Sequence, residues 1–184
     1  MKSIAPSLAL VTLVLFYPSC ATVKLSRDEQ DALKVLQRYL ALDRNGERAD
    51  GTRDATMAAL TTWQDEQEWD EFLVYSQHVI SRPQMQNGKV SIRVRYDVVG
   101  AMQGTEFEPR DAIDEPTEFA LVKTDEGWRI ELPLTPPHVG FSAARKYAKE
   151  VGAANAEQVL ADAEYVAKLK GARAGNCNCE RLDF

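Results

Sequence analysis

The sequence predicts an α+β domain: N-terminal helices packed on an antiparallel sheet, followed by a C-terminal helical extension. Three observations predict it. Leu33, Leu36 and Leu40 recur at helical spacing near the start. From Lys89 to Val99 the pattern alternates clearly. Val90, Ile92, Val94, Tyr96 and Val98 point one way, and Ser91, Arg93, Arg95 and Asp97 the other, which describes a strand with one buried and one wet face. After Ser142 the chain turns alanine-rich and helical again.

The first helix opens on Ser26-Arg27-Asp28-Glu29, a capping box in which Ser26 accepts from the backbone N–H near Glu29 and Glu29 reaches back. Val35, Tyr39 and Leu42 flank its leucine stripe, and Asn45-Gly46 ends it, because glycine tolerates the left-handed conformation of a helix stop. A second, shorter helix is expected from about Asp54 to Trp63, carrying Met57, Ala58 and Leu60.

The period then changes. Glu71 to Ile80 (EFLVYSQHVI) is rich in β-branched and aromatic residues and reads as a strand. Asn87-Gly88 marks a turn into the alternating strand. Gly104 to Asp114 reads as an irregular acidic loop. Thr117 to Lys123, the turn Asp125-Glu126-Gly127, and Trp128 to Leu132 make a hairpin, and Leu134 to Gly140 is a Pro-rich exit. Ser142 is expected to cap a helix to about Val151. Asn155 is expected to cap another over Ala156 to Lys170 with Gly171 as its stop, presenting Val159, Leu160, Ala163, Val166 and Leu169. With so much alanine these helices are expected to pack only in part, and 171–184 reads as a disordered tail.

The first 21 residues, MKSIAPSLALVTLVLFYPSCA, read as an export signal. The apolar run Leu8 to Phe16 is shorter than the ~20 residues a membrane-spanning helix needs. Small Ser19 before Cys20 resembles a bacterial lipoprotein signal, in which Cys20 becomes the acylated N-terminus, although Tyr17 and Pro18 depart from its usual aliphatic pattern. Small Ser19 and Ala21 also permit ordinary cleavage after Ala21, which would give a soluble periplasmic or secreted form. The lipoprotein reading divides the chain into a signal peptide 1–19, a tether 20–27, a main domain 28–140, C-terminal helices 141–170 and the tail 171–184. The expected place is the cell envelope, tethered to a membrane through Cys20 and facing the periplasm.

Of the three cysteines, acylation of Cys20 leaves Cys177 and Cys179, an even count that suits an oxidising compartment. Only Asn178 separates that pair, so idle thiols, a small strained disulfide and an intermolecular bridge all stand as readings. No metal is expected: the tail contains no histidine, and His78 and His138 lie far apart without ligand spacing. Without its leader the chain has about 165 residues, one domain by length. The net charge of −6, or −7 once Lys2 is removed, disfavours nucleic acid as a partner. No phosphate loop, nucleophile elbow or catalytic cysteine is present, and no cofactor is expected.

Helix, short helix, strand and a twisted sheet closing on an F-x-L-V…G-W-R-I hairpin resemble the nuclear transport factor two-like superfamily, also called the cystatin-like or ketosteroid-isomerase-like cone. The resemblance spans about Asp28 to Leu134. It is carried by Tyr39-Leu40 with Asp43, by Trp69-Asp70, by Val94 to Tyr96, by Phe119-Ala120-Leu121-Val122 and by Gly127-Trp128-Arg129-Ile130. The helices from Ser142 onward fall outside the usual cone. The resemblance implies a curved sheet enclosing a pocket, in a superfamily with isomerases, dehydratases, cyclases and many non-catalytic domains; fold alone fixes no function there.

An isomerase-like member would need a carboxylate base and an acidic donor converging in an apolar pocket. Tyr39, Tyr75 and Tyr96 are candidate donors or core aromatics; Asp43 and Asp97 are candidate carboxylates. Tyr96 and Asp97 face opposite sides of one strand and make no pair. His78 shares parity with Phe72, Val74 and Ile80, so it is expected at the pocket or in the core, and His138, after two prolines, in an exposed loop. Trp63, Trp69 and Trp128 either line a ligand mouth or pack helices onto the sheet. The candidate pocket lining is therefore Tyr39, Trp63, Tyr75, His78, Tyr96 and Trp128. No catalytic pair assembles. The expected function is a non-catalytic envelope lipoprotein that binds a small apolar ligand or a partner protein. The alternatives are an isomerase- or cyclase-like enzyme with a Tyr–carboxylate site, and a structural domain with a filled cone. The charged face with Arg93, Arg95 and Asp97 favours a monomer over a homodimer.

Overall fold

A computed structural model describes residues 24–49, 55–63, 65 and 67–174. The leader with Cys20, and Cys177 and Cys179, lie outside the described residues. Helix α1 (Arg27–Arg44) opens on the expected capping box: the Glu29 N–H donates to Ser26 Oγ at 3.2 Å, and the Ser26 N–H donates to Glu29 Oε2 at 2.7 Å. Its leucine stripe, with Ala32 and Tyr39, is buried. Each such leucine contributes ~1.5–3 kcal/mol relative to an exposed one. The second helix, α2 (Ala55–Ala58), is shorter than expected. Past it the chain is drawn into the sheet, where Thr61 bridges Ile130.

The six-stranded sheet has the order β5 (Gly127–Leu132), β4 (Glu106–Thr124), β3 (Lys89–Gln103), β1 (Phe72–Ile80), β6 (His138–Gly140), with short β2 (Gln84–Gln86) beside β3. It is mostly antiparallel and strongly curled into a half-barrel. Strands β1 (Phe72–Ile80), β3 (Lys89–Gln103) and β5 (Gly127–Leu132) form where the patterns placed them. The expected acidic loop 104–114 does not form. Instead β4 (Glu106–Thr124) runs straight out of a tight turn at Gly104 and pairs with β3 along its length. Its acidic residues read as a loop, yet Glu118 sits opposite Arg93 and Asp114 lies diagonal to Arg95, each at salt-bridge distance on the wet face of the ladder.

The Pro-rich exit is likewise not a plain loop. It ends in β6 (His138–Gly140), parallel to β1 with Leu73 opposite His138. The chain then enters α3 (Phe141–Glu150) and α4 (Ala154–Ala174). Gly140, not Ser142, is the α3 N-cap, and α4 continues through Gly171 to Ala174, so the first residues of the expected tail are helical.

Two apolar cores lie on opposite faces of the sheet. Inside the curl, α1 packs on the inward side chains of β1, β3, β4 and β5, among them Tyr75, Val94, Tyr96, Phe119, Leu121 and Ile130. Outside it, Phe72, Val74, Val99, Met102 and Phe107 are covered by Val139, α3 and α4 through Phe141, Ala144, Ala148, Ala156 and Leu160. The C-terminal helices do pack only in part: Leu160 is buried, but Val166 and Leu169 are about half exposed.

Register shifts occur in all three central strands near Val74–His78, Val98–Gly100 and Pro109–Ile113. Bulges add bend and local twist, so this level is where the sheet curls. They also flip parity. Between Tyr75 and His78 an extra β1 residue puts both rings on the inner face, whereas Phe72 and Val74 point outward. The expected shared face of His78 with Phe72 and Val74 is thus corrected; it holds only with Ile80, which packs on the inner core.

Candidate functional site

Four of the six candidate pocket residues meet. Tyr39, Tyr75, His78 and Tyr96 lie on the inner face of the curl, at the C-terminal end of α1. Tyr75 stands edge-on to Tyr96 with ring centroids 5.2 Å apart, and His78 lies 5.7 Å from Tyr75 and 6.0 Å from Tyr96. Trp128 lies at the other end of α1, buried near the Lys123–Asp28 ion pair, and Trp63 packs partly buried against the same core.

The structure adds residues that sequence reasoning did not place together. His138, expected in an exposed loop, is 2 % exposed and stacks on Tyr96 at 4.1 Å. The cause is the parallel pairing of β6 with β1, which draws the segment into the sheet. Asp43, in the last turn of α1, accepts from the His138 backbone N–H through Oδ2 at 3.0 Å. Its Oδ1 lies 3.5 Å from Arg48 Nη1. Arg48 follows the Gly46 turn, where φ is +85°, and donates to Tyr39 Oη at 2.7 Å and to the Thr135 carbonyl at 2.8 Å. Asp43 and Arg48 are both nearly fully buried. A buried charge pair requires such added hydrogen bonds, and here they tie α1 to the β5–β6 connection.

Electrostatics follow from this burial. Burial pushes the Tyr75 hydroxyl up to about 12 and raises that of Tyr96 further, helped by the Asp43 charge. Burial and then Arg44 lower His78 below its ordinary 6.5. Half-buried Glu115 is held below the usual carboxylate range by the His138 imidazole, whose Nε2 stands 3.7 Å from Glu115 Oε1. Neither Tyr75 nor Tyr96 gives up its proton readily near neutral pH, and Asp43 is committed to Arg48 and to a backbone N–H.

In the inner patch Tyr39, Tyr75, Tyr96 and His138 are buried and His78 is half-buried. A cleft of about 990 Å³ lies on the other side of the molecule, between the outer face of the sheet and α3–α4. Val99, Phe141, Val159 and Ala163 give it apolar walls, and Arg44 and Arg110 stand at it. A recess of about 60 Å³ sits beside Arg48, Trp69 and Tyr147. None of the six candidate pocket residues lines either concavity. Among the described residues no group of three or more His, Cys, Asp or Glu is placed to hold a metal, and no helix is long and apolar enough to cross a membrane. Compared with known proteins, the chain has no significant match to a family model, a curated protein or a solved structure.

Proposed function

We propose that this chain is a non-catalytic binding protein of the bacterial cell envelope, built on a nuclear transport factor two-like cone and tethered by lipid on Cys20. Its ligand, a small molecule with an apolar body, sits in the cleft between the sheet and α4. One observation carries the reading. The inside of the curl is filled by α1, Tyr39, Tyr96 and the Asp43–Arg48 pair, whereas the roomy concavity with apolar walls lies outside it. The curled sheet over a capped helix supports the superfamily, and the Ser19-Cys20 step supports the tether.

The test is native mass spectrometry of the full-length protein extracted from bacterial membranes in mild detergent. The expected mass is that of the chain acylated at Cys20 with a retained small molecule, which Ala163→Trp in the cleft displaces. A mass beginning at Thr22 with nothing bound would reject both tether and ligand.

A second reading, an isomerase- or cyclase-like enzyme, draws on one observation of its own. Tyr96 Oη and His78 Nδ1 are buried on neighbouring rings, and neither has a hydrogen-bond partner in the structure. Unsatisfied polar atoms collected in one place are what a polar substrate would satisfy. Turnover of a ketosteroid-like or lactone-like compound, lost in Tyr96→Phe, would establish this reading over the first.

A further inference from the structure

The last turns of α4 carry an exposed apolar stripe at the rim of the cleft, which Val166, Lys168 and Lys170 also line. Tyr165, Val166 and Leu169 are 65 %, 47 % and 49 % exposed. Tyr165 and Leu169 share a flank opposite buried Leu160, which anchors α4 to the outer core, and Val166 lies between that flank and the cleft. The stripe lies in a segment whose charge opposes that of the whole chain. From Tyr165 to Ala174 the sequence holds Lys168, Lys170 and Arg173 and no acidic residue, in a protein of net charge −6. Lys168 leans back to Glu164 at 2.8 Å; Lys170 is exposed on the helix.

We infer that this end of α4 is a membrane-contact element that lays Tyr165, Val166 and Leu169 into an anionic lipid surface, with its lysines at the headgroups. The chemistry matches on each count. Tyrosine is favoured at the interface, aliphatic side chains enter the acyl boundary, and lysine stems extend to phosphate. The acidic remainder of the chain is repelled by such a surface, so the contact would orient the domain and leave its other faces free. The role in the cell rests on the proposed lipid tether. Cys20 lies seven residues before Arg27, the first residue of α1, and an extended tether of that length spans roughly 25 Å, which keeps the domain close to the bilayer.

The experiment is vesicle co-sedimentation of the chain from Thr22 onward, which lacks the lipid and retains every described residue. Phosphatidylcholine vesicles with and without phosphatidylglycerol are compared. Binding is expected to the anionic vesicles only, and to fall as salt rises. Lys170→Gln should weaken it about fivefold. The double variant Tyr165→Asp/Leu169→Asp should abolish it while leaving the far-UV circular dichroism unchanged, because both side chains are exposed. No binding up to millimolar lipid, equal binding to neutral vesicles, or undiminished binding by the double variant would each overturn the inference. So would self-association of the chain that the double variant removes, which would assign the stripe to a second copy. Failure of acylation at Cys20, read from the mass of the membrane-extracted protein, would sink the tether and leave the vesicle result to stand or fall separately.

Discussion

Asp43 and Arg48 face each other at 3.5 Å with their side chains 2 % and 1 % exposed. The pair closes the C-terminal end of α1 against the start of β6, because the other Asp43 oxygen takes the His138 N–H and Arg48 reaches the Thr135 carbonyl. Asp43→Ala should cost about 3–5 kcal/mol in urea unfolding, since it strands a buried guanidinium. Changing both residues to leucine should recover only part of that loss, because Tyr39 Oη and the Thr135 carbonyl then lose the Arg48 donor. Full recovery would mean that the pair holds nothing else in place.

Gly100 sits at the bulge level where the sheet curls. A Cβ there would collide with the Phe107 ring and stand 2.5 Å from the Glu108 carbonyl oxygen. Backbone cannot yield as a side-chain tip can, so Gly100→Ala should destabilise by about 3 kcal/mol. Adding Phe107→Ala should return little of it, because the carbonyl contact persists. Thermal and urea midpoints of the two variants decide the point.

These two sites also show where the sequence was legible. The capping box, the leucine stripe and the strict alternation of β3 are local patterns, and each produced its element because propensity and burial agree there. Strand β6 is three residues after two prolines and has no period of its own; it exists because β1 offers an edge. Residues 104–114 differ from expectation for a related reason: their acids suggest a loop, but the ladder with β3 satisfies the backbone and Asp114 points to water. The inner patch was half legible. Tyr39, Tyr75, His78 and Tyr96 could be named as inward candidates, but the face of His78 depends on a bulge, and His138 and Arg48 arrive through contacts far along the chain. Asp43 was visible as a carboxylate on α1, and no local signal paired it with Arg48.

Stability should fall on the acid side of neutrality, and His78 should account for the first part of the fall. Above pH 6.5 the imidazole is neutral folded and unfolded, so it contributes nothing. Below 6.5 the unfolded chain takes up the proton first, because burial and then Arg44 hold the folded pKa lower; stability drops through that window and levels beneath it. Tyr75, Tyr96 and Arg44 surround the ring, and none supplies a negative charge at these pH values. Glu115 acts further down: its carboxyl is held below 4.5 beside His138, so its contribution is present above 4.5 and lost as pH falls through the folded value. Urea midpoints measured against pH should lose the upper slope in His78→Gln and keep the lower one. An unchanged upper slope would assign it elsewhere.

Tyr39 and Tyr96 offer a matched pair of hydroxyl deletions in the same core. Tyr39 Oη accepts from a charged donor, Arg48 Nη1, at 2.7 Å; Tyr96 Oη is buried without a hydrogen-bond partner. Removing the first should cost about 1.5–3 kcal/mol, the range for a hydrogen bond to a charged group. Removing the second keeps the ring on His138 and deletes only an unsatisfied polar atom, so Tyr96→Phe should be neutral or stabilising by about 1 kcal/mol. The comparison also separates the two functional readings. In a filled cone the Tyr96 hydroxyl serves nothing and its loss is harmless. If Tyr96→Phe costs as much as Tyr39→Phe, that hydroxyl is bonded to a water or a ligand inside the curl, and the enzyme reading gains the occupied inner site it requires.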